Sequence, residues 1–236
     1  MEQINKVKSI SIWVFIVPFI AVNACLLITT QFHQLNLIPD QYKISYPFPY
    51  IDGGVSISRT ARYFPAYLIF KPAMFLTSYL LIKYWVYNKE IVNFFDKEHK
   101  NKNKILFFGI ASAIALTIHS IFLGVKFDND FYKLFRRVIM LTFIIFEITA
   151  QAYLVAAFYS FRHKLDKHIN KLFLNLKIIL VSTLIVVAII SVPIISLPGD
   201  NFFGFNLKFL KHALEWDYFI GVISFYLLTF FLWKKN

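Results

Sequence analysis

Apolar residues in this chain fall in long unbroken runs, without the every-second-residue alternation of a half-buried strand. Six runs stand out, at about 9–30, 64–86, 105–125, 138–161, 174–197 and 214–233. A helix rises ~1.5 Å per residue, so each run matches the ~30 Å hydrocarbon core of a bilayer. In lipid every backbone N–H and C=O must be satisfied within the protein, which leaves helices or closed barrels, and continuous runs argue against barrel strands. The predicted fold class is all-α: a six-helix transmembrane bundle in which residues 1–236 form a single integral membrane domain.

Composition agrees, with 58% of residues hydrophobic and 16% charged, against about 25% charged in an ordinary soluble domain. The net charge of +12 does not point to nucleic acid, because the Lys and Arg residues lie in the gaps between apolar runs. Membrane lipid, anionic at its head group, is the expected partner. The single cysteine, Cys25, has no intramolecular disulfide partner. Lys6 and Lys8 ahead of an apolar run also resemble a signal peptide, and "VNAC" faintly resembles a lipoprotein cleavage box. Asn23 suits such a box poorly, and the segment from Ser9 to Thr30 continues past Cys25, so a retained membrane helix is expected.

Positive loops tend to stay cytoplasmic. Residues 83–104, residues 162–177 and the two ends together carry fifteen Lys and Arg, against ten elsewhere. Both termini are therefore predicted to be cytoplasmic. The extracytoplasmic side would then hold "YIDGGVSISRTARYFPAY" (50–67), "KFDNDFYKLFRR" (126–137) and "LPGDNFFGFNLKFLKHALEWD" (197–217), with Pro198-Gly199 and Trp216 read as turn and interfacial features.

Within the first of these, Asp52-Gly53-Gly54 is a turn signal, and Ser56 or Ser58 can cap a short helix carrying Arg59 and Arg62 on one face. Hydroxyls, backbone N–H groups and two guanidinium forks suit a phosphate; the plainer alternative is an interfacial loop whose arginines snorkel to head groups. Glu147 falls near mid-membrane, with Gln151 one turn on and the same face, marking either function or an interhelical hydrogen bond. His119 follows the small-residue run "GIASAIAL", which reads as a packing face, and Asp128 and Asp130 follow it in a short loop. Lys208, Lys211, His212 and Glu215 form one helical stripe, and His212 with Glu215 is the candidate acid–base pair. No motif for metal hydrolysis, nucleotide binding or a serine nucleophile occurs, so no metal or cofactor is expected.

Pro49-Tyr50-Ile51 ahead of Pro65-Ala66-Tyr67, with Glu215-Trp216 opening the last run, resembles the Frag1/DRAM/Sfk1 family, PGAP-2-like and similar to the Cwh43 N-terminal region. Asp52-Gly53-Gly54 stands where that family has a Ser-Asp pattern. The resemblance implies six crossings and membrane lipid handling, which includes lipid remodelling.

The leading expectation is a multi-pass membrane protein that binds or remodels a phospholipid or lipid-linked head group on its extracytoplasmic side. Asp52, Ser56, Ser58, Arg59 and Arg62 would form the head-group site, with His212 and Glu215 completing it. Two alternatives stand beside it: a small transporter or channel with a polar path through Glu147, Gln151 and His119, and a non-enzymatic scaffold for protein partners.

Overall fold

The computed structural model describes residues 2–30, 48–125, 129–196, 201–202 and 205–234. Its long helices are α1 (Glu2–Thr30), α4 (Ala66–Phe95), α5 (Lys102–Phe122), α6 (Asp130–Ser160), α8 (Lys171–Ser196) and α9 (Leu207–Leu232). Single-turn helices α2 (Pro49–Asp52), α3 (Ile57–Thr60) and α7 (Arg162–Leu165) lie in the connections. The strand pairing among the described residues is one short antiparallel pair, β1 (Asn201–Phe202) with β2 (Phe205–Asn206). Six helices are long and apolar enough to cross a membrane, as the runs predict.

Several helices overrun the apolar runs that announce them. α1 begins at Glu2, α4 continues to Phe95, and α9 starts at Leu207. Hydropathy stops where polar residues begin, whereas the helix stops where its orphan N–H and C=O groups find other partners. Asn206 ends α9 in this way, its Oδ1 accepting the Lys208 N–H at 3.0 Å, and Asn129 Oδ1 accepts the Phe131 N–H at 2.9 Å to start α6. α1 also continues past Cys25, whose Sγ donates to the Ala66 carbonyl at 3.3 Å inside the bundle.

α1 packs against α4 and α9, α5 lies between α4 and α6, and α8 closes against α9 and α6. Small residues set the close approaches. A Cβ on Gly109 would stand 2.2 Å from the Trp85 ring, and one on Gly221 would stand 2.6 Å from the Leu184 side chain. Ile148, Leu184, Tyr218 and Val222 form the small apolar cluster that joins α6, α8 and α9 at mid-height.

Both termini lie at one end of the bundle. There Lys8 Nζ donates to the Trp233 carbonyl at 2.6 Å, Lys164 Nζ to the Phe95 carbonyl at 3.0 Å, and Lys234 N–H to the His168 carbonyl at 2.9 Å. The opposite end, called the far end below, holds α2, α3, the end of α5, the start of α6 and the start of α9. Lys177, counted above with a positive loop, is instead fully buried, its Nζ donating to Thr229 Oγ1 at 2.7 Å. Asp128 and Pro198-Gly199 lie outside the described residues, as does the Asp130 side chain.

Candidate functional site

The stretch 48–65 lies across the far end of α9. α2 ends at Gly53 in the left-handed conformation (φ 63°), where a Cβ would stand 1.8 Å from the Phe209 carbonyl oxygen. Asp52 Oδ1 accepts the Gly54 N–H at 2.8 Å, so Asp52 is occupied in forming the turn. Tyr50 lies edge-on to Trp216 with ring centroids 4.7 Å apart, and its hydroxyl donates to Asn23 Oδ1 at 3.0 Å. Burial pushes the Tyr50 phenol up, against the pull of the Asn23 hydrogen bond, which keeps it a donor. Trp216 Nε1 donates to the Val55 carbonyl at 2.8 Å.

Ser56 caps α3, its Oγ accepting the Arg59 N–H at 3.3 Å. α3 stops at Thr60, so Arg62 lies beyond it and the two arginines do not share the helix face expected from their spacing. The Arg59 charge still acts on His212.

A cavity of about 830 Å³ opens beside this stretch. Ser56, Ser58 and Arg62 line it on one side; Lys211, His212 and Glu215 of α9 on another; His119 of α5 and Arg136 and Arg137 of α6 on a third. The rest of its wall mixes apolar residues, Leu141 and Ile145 of α6 and Ala188 of α8 among them, with the hydroxyls of Tyr132, Ser191 and Tyr218. Leu141 and Ile145 of this wall are about half exposed, at 49% and 53%. His212 Nδ1 lies 2.9 Å from the Gly53 carbonyl, which can only accept. Nδ1 therefore carries the hydrogen and Nε2 is the basic nitrogen. Glu215, one turn on, faces the backbone N–H groups of Ser58 and Ile57.

A second cavity, of about 90 Å³, adjoins the first and shares His119, Met140, Ile144, Glu215 and Tyr218 with it. Val14, Pro18, Phe70, Met74 and Phe143 give it apolar walls, and Glu147 lies at its inner side. Glu147 accepts from Ser112 Oγ at 2.5 Å, from Gln151 Nε2 at 3.3 Å and from the Tyr226 hydroxyl. Gln151 Nε2 also reaches the Val222 carbonyl at 3.2 Å, and Gln151 borders neither cavity. Deeper toward the termini, Tyr84 and Lys177 meet at Thr229, and the Lys177 ammonium sits 3.7 Å above the Phe225 ring.

Seven of the residues singled out from the sequence thus border one cavity: Ser56, Ser58, Arg62, His119, Lys211, His212 and Glu215. Asp52 and Arg59 do not, and Glu147 with Gln151 forms a separate network below. Sequence reasoning missed Arg136 and Arg137, whose signal, adjacent arginines before an apolar run, is the same as that of an interfacial anchor. Among the described residues no three His, Cys, Asp or Glu side chains gather as a metal site requires. Fold and site together define a helical membrane protein with a basic cavity at the far end of its bundle. No known family, curated protein or solved structure matches the chain.

Proposed function

We propose that the protein binds, or remodels, a phospholipid or lipid-linked head group at its extracytoplasmic side. The observation that carries this reading is the composition of the larger cavity. Arg62, Arg136, Arg137 and Lys211 offer four cations to one cavity, whose wall also includes the apolar Leu141 and Ile145 of α6 and Ala188 of α8. A charged head and an apolar tail fit these two parts, whereas a soluble anion needs only the first.

The far end is taken as extracytoplasmic from the loop charges. Removing buried Lys177 from the count leaves fourteen cations on the termini side (15 − 1) against ten, so the bias persists. If an ester is cleaved, His212 Nε2 is our candidate base, taking a proton from the attacking water, and Glu215, one turn on, our candidate acid, protonating the leaving alcohol. The resemblance to the Frag1/DRAM/Sfk1 family supports the same reading, since its two motifs pack together as Tyr50 against Trp216.

The test is lipid mass spectrometry of the purified protein with Arg62, Arg136, Arg137 and Lys211 all replaced by Gln. Anionic lipid that co-purifies with the wild type should be largely lost. Unchanged anionic lipid content would remove the basis of the proposal.

A further inference from the structure

Three residues that line the larger cavity each carry a buried nitrogen with no hydrogen-bond partner among the described residues: Arg62 at Nε, Arg136 at Nε and His119 at Nδ1. Buried polar groups without partners are rare, because each gives up its hydration with nothing in return, and a charged one gives up more. These three come from separate parts of the chain and line the same cavity. Arg62 and Arg136 repel each other, and the Arg136 charge also acts on His119.

No carboxylate among the described residues offsets this charge. The ion pairs there, Glu2–Lys6, Asp96–His99 and Asp166–Lys171, all belong to the termini end. Glu215 is directed to the N–H groups at the start of α3. The Tyr132 ring, 5.9 Å from the Arg136 guanidinium, supplies a π face but no acceptor. Two like charges lining one cavity, each with an unpartnered N–H, are stabilised by a bound anion.

We infer that Arg62, Arg136 and His119 form the seat of a phosphate group carried by a lipid whose chain leaves between α6 and α8. Phosphate is favoured over carboxylate by oxygen count. Two guanidinium forks and an imidazole approaching from separate elements need at least three acceptor oxygens, which a phosphate has and a carboxylate lacks. The lipid part rests on the head-group reading above; the phosphate seat does not.

The experiment uses the full chain in a neutral maltoside detergent, with dodecyl phosphate, dodecanoate and inorganic phosphate as probes of binding. Dodecyl phosphate should bind at least tenfold more tightly than either of the others. Arg62→Lys and Arg136→Lys keep the charge but lose the fork and Nε, and each should weaken dodecyl phosphate at least tenfold. Arg162→Lys, in α7 at the termini end and away from the cavity, should leave it unchanged. Without any probe, Arg136→Gln should unfold at the same temperature as wild type or higher, because it relieves the repulsion.

Undiminished binding by both Lys variants overturns the seat and leaves the head-group reading in place. Dodecanoate binding as tightly as dodecyl phosphate overturns the choice of phosphate. Inorganic phosphate matching dodecyl phosphate supports the seat but overturns the lipid, and the head-group reading with it. A lowered unfolding temperature for Arg136→Gln overturns the claim of uncompensated charge.

Discussion

At the scale of single residues, Gly53 does the most to build the site. Its left-handed backbone and its contact with the Phe209 carbonyl let the chain press onto α9, and its own carbonyl fixes the His212 ring. Gly53→Ala should therefore cost at least ~2 kcal/mol, combining the penalty of a left-handed Ala with the clash of its Cβ. It should also weaken binding of anionic lipid, since Ser56, Ser58 and Arg62 follow in the same strand of chain. Thermal unfolding and lipid mass spectrometry read the two effects separately. Trp216→Phe makes a milder test: it keeps the ring packing on Tyr50 but strands the Val55 carbonyl, for an expected loss of ~1–3 kcal/mol. The turn at Asp52-Gly53-Gly54 and the cap at Ser56 were legible because each depends on local chain geometry. That Arg136 and His119 join Arg62 was not, because residues from three elements are brought together only by packing.

Among the helices, composition announced the crossings but not their ends or their buried ionisable groups. Lys177 illustrates the gap: close to the start of an apolar run it reads as a loop cation, yet Thr229 and the Phe225 ring hold it inside the bundle. The small-residue run of α5 was legible as a packing face, and Gly109 against Trp85 gives it a measurable form. Gly109→Ala should destabilise the bundle by ~1–3 kcal/mol, because the indole has to move out of the space a Cβ would take. Glu147 joins α5, α6 and α9 through Ser112 and Tyr226. Glu147→Gln retains an acceptor for the tyrosine and should cost ~1 kcal/mol, near the usual worth of an interhelical hydrogen bond in membranes. Glu147→Leu leaves the Tyr226 hydroxyl and the Gln151 amide short of an acceptor, and should cost several times as much. Equal unfolding temperatures for the two variants would show that the network does not clamp the helices.

For the molecule as a whole, sidedness and access to the cavity decide between lipid handling and transport. Native Cys25 is fully buried, so an introduced cysteine can be labelled against a low background. Ser58→Cys should react with a membrane-impermeant maleimide on intact cells, and Lys97→Cys only after permeabilisation; the reverse pattern would put the basic cavity in the cytosol. The two functional readings then separate on Glu147 and Ala188. A transporter needs a polar path past Glu147, so its flux in proteoliposomes should vanish in Glu147→Gln while Ala188→Trp has little effect. Lipid handling needs the apolar side of the cavity, where Ala188 faces α6. Ala188→Trp should then expel co-purifying lipid while Glu147→Gln retains it and neither protein passes ions. The opposite outcome would move the functional centre from the arginines of the far end to the carboxyl at the core of the bundle.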